Sequence, residues 1–140
     1  MNKVQLSVDD LKTKVESVPA LRKKVAFYYS IDQLLDDNVI LSFPAVSIVY
    51  EGMIPTDAKN KGLSNEAGFG VYLVSCKGAP KHNSAETLVL LKALRDAIRD
   101  TKGPGGHDWN YAGEHPVNLP ITADTGIAYR QGWMTQLNMP

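Results

Sequence analysis

The residues of this chain best suited to chemistry are three histidines, one cysteine and a few clustered carboxylates, and their spacing argues against most of it. His82, His107 and His115 stand in stretches rich in Gly and Pro. None has a second histidine or a carboxylate at the spacing by which a helix or hairpin grips a metal, so each reads as a surface residue. Cys76 is the sole cysteine, which excludes an internal disulfide and a zinc cage of thiolates. As a nucleophile it would need an activating base, and none is readable, so a small buried hydrophobe at a strand end is expected. Asp32, Asp36 and Asp37 lack the Asp-x-Asp-x-Asp-Gly order of a calcium loop and read as a solvated helix end. Gly103-Pro104-Gly105-Gly106 looks like a phosphate loop but follows a helical pattern instead of opening one. The amides that cradle phosphate belong to a helix N-terminus. No catalytic residue, metal or cofactor is expected, and the chain is not read as an enzyme.

Residues suited to binding are equally sparse. Phe27, Tyr28 and Tyr29 suggest a stacking strand for RNA, but no Gly/aromatic signature surrounds them. Lys plus Arg and Asp plus Glu both number 15, a net charge of zero. A protein that grips phosphates shows a basic excess, so two of the three aromatics are expected in a core or an interface. Lys59 and Lys61 are a modest basic pair, either a solvated loop tip or a flexible contact with a partner or with passing nucleic acid. A chain of 140 residues, 44% hydrophobic and 21% charged, fits one globular domain spanning 1–140. No apolar run approaches the roughly 20 residues that cross a bilayer, and no membrane contact is expected. The opening Met-Asn-Lys-Val-Gln-Leu-Ser lacks the apolar centre of a signal peptide, so a cytoplasmic location is expected.

The elements that must position these residues follow from periodicity. Ser7 is placed to cap a first helix, with Asp9 and Asp10 in its first turn and Leu6 and Leu11 as a staple. Val8, Leu11, Val15 and Val18 recur at helical spacing until Pro19. Residues 25–29 read as a strand, 30–35 as a short helix and Ala45 to Tyr50 as a second strand with Val46, Ile48 and Tyr50 on one face. Residues 51–67 show neither period and predict a long polar loop. Gly68 to Cys76 predicts a strand with Phe69, Val71 and Leu73 on one side. The main helix is capped by Asn83 or Ser84 and ended by the glycines at 103–106. Its core side carries Thr87, Leu90, Leu91, Leu94, Ala97 and Ile98. Leu88 and Val89 project among Glu86, Lys92, Arg95, Asp96, Arg99 and Asp100, to be covered by another segment of the chain or by a neighbouring subunit. The 103–126 segment reads as turn-rich, with a short strand near Trp109-Asn110-Tyr111, and Ile127 to Met134 predicts a closing strand. The pattern predicts an α+β fold with a mainly antiparallel sheet of about four strands flanked by helices.

Several stretches in this order carry a family resemblance: Phe43-Pro44-Ala45-Val46-Ser47-Ile48-Val49-Tyr50-Glu51-Gly52, the helix from Ala85 to Ile98, and Gly126-Ile127-Ala128-Tyr129. With the N-terminal helix, they resemble the tail-terminator proteins of Mu-like and other long-tailed bacteriophages over most of the chain. The resemblance implies a homo-oligomer, a six-membered ring that caps the tail tube, stops its polymerisation and joins it to the neck or head connector. It implies the tail tube protein, the sheath and neck proteins as partners, and DNA passing through the ring without specific binding. It implies residence in the virion at the tail–neck junction, after assembly in the host cytoplasm. Leu88, Val89, Arg95 and Arg99 are then expected at the oligomer interface, and Lys59 and Lys61 on a loop facing a partner or the lumen. The alternatives are another head–tail or tail-completion protein, a small ligand-binding α+β domain, and a nucleic-acid-binding sheet.

Overall fold

Asn2 stands just before the first helix in extended conformation and accepts a hydrogen bond from the Gln5 amide at 2.7 Å. The helix it caps, α1, spans Lys3–Glu16. The cap is therefore one turn earlier than the sequence predicts. Ser7 is buried inside the helix, its hydroxyl donating to the Lys3 carbonyl at 2.8 Å. The expected stripe holds: Val8, Leu11, Val15 and Val18 are all buried. A short 3-10 turn at Pro19–Leu21 then leads to the sheet.

A computed structural model of the chain describes residues 2–22, 25–28, 44–56, 64–77, 80–117 and 126–138. After α1 come β1 (Val25–Tyr28), β2 (Ala45–Pro55), β3 (Ser64–Lys77), α2 (Pro80–Ile98), β4 (Asn110–Val117) and β5 (Gly126–Asn138). The strands form one sheet in the order β1-β2-β3-β5-β4. Four of them make the expected antiparallel set, and β1 adds a fifth, parallel to β2 with Phe27 beside Ile48. The α+β class stands. The predicted helix at 30–35, Tyr29, and the carboxylates Asp32, Asp36 and Asp37 lie outside the described residues.

Residues 51–67 are mostly strand, which corrects the long loop. The β2–β3 pairing runs on to Pro55 and Asn65, leaving only 56–63 between the strands. The pattern is hidden because the register slips between Tyr50 and Gly52, where Gly52 has φ +106°. Such a bulge inserts one residue and changes the phase of the alternation. Beyond it the buried positions hold Asn65 and Ala67, which do not read as a core. The turn-rich reading of 103–126 is likewise corrected over 110–117. Edge strand β4 is exposed along most of its length, so it has no alternation to show. It carries a second bulge between Tyr111 and Glu114, Gly113 at φ +94°, and Pro116.

α2 begins at Pro80, ahead of the expected caps Asn83 and Ser84, because proline suits a first helical turn. It ends at Ile98, before the glycine cluster. Asp100 takes the left-handed conformation at φ 59°, and Thr101 Oγ1 donates to the Ile98 carbonyl. The glycines instead shape the loop after the helix. A Cβ on Gly105 would lie 2.8 Å from the Gln136 carbonyl, so only bare backbone passes there. Trp109 closes that loop onto α1, its Nε1 donating to Asp10 Oδ2 at 2.7 Å while its ring meets Phe69 edge-on at 5.6 Å.

One face of the sheet carries Val46 and Ile48, then Phe69, Val71 and Leu73, then Trp133 and Leu137. Onto it pack the buried sides of both helices, with Leu91, Leu94 and Ile98 from α2. The other face is also buried around Ser47, Val49, Tyr72 and Val74 but opens toward Gly52, Gly68 and Met134.

Candidate functional site

The outward side of α2 is where the chain leaves apolar surface open. Thr87, Leu91, Leu94 and Ile98 point into the fold and are buried. The helical turn then carries Leu88 and Val89 away from it, and they are 58% and 68% exposed. Among the described residues nothing covers them. Val89 borders an apolar groove of about 440 Å³ formed with Ala20, Pro44, Ala85, Glu86 and Leu90. Along the same helix the ammonium of Lys92 and the guanidinium of Arg99 both reach Asp96, at 2.7 and 3.2 Å. Arg99, one residue past the end of α2, is exposed.

Arg95 is differently employed. Its guanidinium grips both oxygens of Glu114 on β4, at 2.7 and 2.8 Å. Gln131, fully buried on β5, extends the network: its amide donates to Glu114 at 3.1 Å and to the Leu91 carbonyl at 2.9 Å. It accepts from Trp133 Nε1 at 3.1 Å. The clamp ties α2 to the edge strand. Burial alone would push the Glu114 carboxyl up, but hydrogen bonds from Arg95, Tyr111 and Gln131 outweigh it and hold it below the usual carboxylate range. The Tyr111 phenol, desolvated and bonded to Glu114, is pushed up to about 12. Arg95 therefore ties α2 to β4, with its charge already matched inside the chain.

The open end of the other sheet face holds a second feature. A cavity of about 290 Å³ is bordered by Gly52, Ile54, Glu66, Gly68, Gly132 and Met134, with Glu51 and Arg130 at one end. Glu51 occupies the bulge and accepts from Arg130 Nε at 3.0 Å and from the Tyr72 hydroxyl at 3.2 Å. A second bond from Arg130 makes the pair bidentate. Burial first, and then the Glu51 carboxylate, push the Tyr72 phenol up. Tyr72 and Arg130 face each other across the β3–β5 ladder. Sequence reading missed this trio, since a register between distant strands has no local signature. The one available signal was Glu51-Gly52, an isolated glycine at the end of a strand pattern, which marks a bulge.

Lys59 and Lys61 lie outside the described residues. His82 belongs to helix α2 and His115 to strand β4, so only His107 occupies the loop expected for all three. Cys76 sits in β3 opposite Ile127 at a break in register. Among the described residues no group of three or more His, Cys, Asp or Glu is placed to hold a metal ion. No described helix is long and apolar enough to cross a membrane. Neither a protein-family model nor a curated protein matches this chain.

Proposed function

We propose that this chain is a structural subunit of a phage tail, a ring-forming tail terminator that caps the tail tube and joins it to the neck. The observation that carries the reading is the exposure of Leu88 and Val89 beside an apolar groove, on a helix whose opposite side makes the core. Exposed apolar side chains grouped with a groove mark a protein contact more often than a free surface. The resemblance of the 43–52, 85–98 and 126–129 stretches to tail terminators supplies the setting. A sheet with helices on it is the architecture that resemblance implies. The partners are further copies of the chain, the tail tube protein and neck proteins, with the sheath as a further partner. DNA passes through the ring without specific binding, and the protein works in the virion.

Native mass spectrometry and negative-stain imaging test the proposal, on the chain alone and with tail tubes. A closed ring of about six copies is expected. A strictly monomeric particle at high concentration in both settings overturns it. Leu88→Asp and Val89→Asp should each weaken assembly roughly ten- to hundredfold, because each buries a charge at the contact. The far-ultraviolet circular dichroism of both variants should match the parent chain. Normal assembly by both would mean that these residues are not at the contact.

A further inference from the structure

Edge strand β4 starts from a fixed point and is fastened again near its middle. Trp109, just ahead of it, is buried and bonded to Asp10. From Asn110 to Val117 no residue is fully buried, although a sheet strand ordinarily buries every second side chain. The ladder to β5 is broken between Tyr111 and Glu114, which leaves Ala112 and Gly113 outside the register. Just past the break the Glu114 carboxylate takes two bonds from Arg95 on α2 and one from Gln131 on β5.

The groups that hold Glu114 can do without it. Arg95 keeps a third of its side chain in solvent, so its charge stays hydrated when released. Gln131 keeps its bonds to the Leu91 carbonyl and to Trp133 Nε1, and water replaces the one it loses. Withdrawing Glu114 therefore strands neither a buried charge nor an orphaned polar group, the two penalties that would make opening as costly as unfolding. What lies beneath is regular. Both register breaks beside β5 fall in its neighbours, between Val74 and Cys76 of β3 and between Tyr111 and Glu114 of β4. β5 itself is paired to β3 from Gly126 to Asn138 and stays in place without β4.

We infer that β4 is a hinged flap, pivoting at Trp109 and latched by Glu114 to Arg95, which opens as a unit while the rest of the sheet and both helices stay folded. Closed, it covers the unbroken β5 ladder with a broken edge. Open, it bares the outward main-chain groups of β5 and the ring of Trp133, over which Tyr111 lies at 5.3 Å. The latch thus decides whether the sheet presents an edge able to pair with an extended segment. This is a property of the single chain and does not rest on assembly.

Native-state hydrogen exchange on the intact chain tests it. The β4 amides and those β5 amides that bond to β4 should exchange together, through an opening nearly insensitive to low denaturant. The β3 amides should exchange only through the denaturant-sensitive unfolding of the whole. Glu114→Gln and Arg95→Gln should each speed the first set about tenfold while keeping the parent's circular dichroism. The double variant should go no faster than the faster single one, because both remove the same latch. The inference is overturned if β4 shares the opening energy and denaturant dependence of β3, if folded Glu114→Gln leaves the β4 amides at the parent's rate, or if the two substitutions act additively.

Discussion

Glu114 shows how much of one residue's behaviour is set by partners far away in the chain. Its carboxylate takes two bonds from Arg95 and one from Gln131, and the Arg95 side chain keeps only a third of its surface in solvent. Glu114→Gln should cost about 1–2 kcal/mol of stability in denaturant titrations, the scale of a partly exposed charged hydrogen bond. The pH dependence follows from the depressed carboxyl: its contribution is present above the unfolded carboxylate pKa and is lost as pH falls through the lower folded value. The Gln variant should therefore lose less stability on acidification than the parent. Tyr111 behaves oppositely. Raised to about 12, it contributes below the ordinary tyrosine pKa and loses that contribution as pH climbs to its folded value. Tyrosinate absorbance should lose its step near 12 in Tyr111→Phe; loss of a step at the ordinary tyrosine pKa instead would show the phenol to be free of Glu114. None of this was legible in sequence. Arg95 reads there as one more charge on a polar helix face, and only the fold brings Glu114 against it.

At the scale of elements, the apolar stripes were readable and the ends were not. Val8, Leu11 and Val15, or Leu91, Leu94 and Ile98, announce their helices because burial follows the helical period. A cap is a single polar residue, and the right side-chain chemistry at Ser7 did not make it the cap. Asn2 makes the capping bond, whereas Ser7 spends its hydroxyl on a carbonyl one turn back. Asn2→Ala should accordingly cost about 1 kcal/mol and lower the melting temperature by a few degrees. Ser7→Ala should cost nothing or slightly stabilise, since alanine is the better helix former and the carbonyl keeps its main-chain partner. Equal losses from both would move the cap. The strands missed at 51–55, 64–67 and 110–117 each hide their pattern differently. The first lies beyond a bulge that shifts the phase, the second keeps its alternation but buries Asn65 and Ala67, and the third is an edge exposed on most of its length.

For the whole molecule, the class of fold was legible because four strands and two helices each carry enough pattern to be counted. The order of strands was not, since β5 enters between β3 and β4 through pairings from residues about 60 positions apart, such as Phe69 with Trp133. If copies assemble through the α2 side, folding and association are linked, and the melting temperature should rise with protein concentration. Val89→Asp should abolish that rise, and a parent chain whose melting point ignores concentration would contradict the link. The broken edge of the sheet bears on the same crowded setting. β4 ends the sheet with two residues out of register, a glycine at positive φ, and Pro116, which has no amide hydrogen to offer. Copies that meet along β4 find no continuous ladder to extend, so this edge does not template main-chain pairing into a growing cross-β stack. Contact along β4 is left to side chains, and those can be retuned one at a time without rebuilding the sheet beneath them.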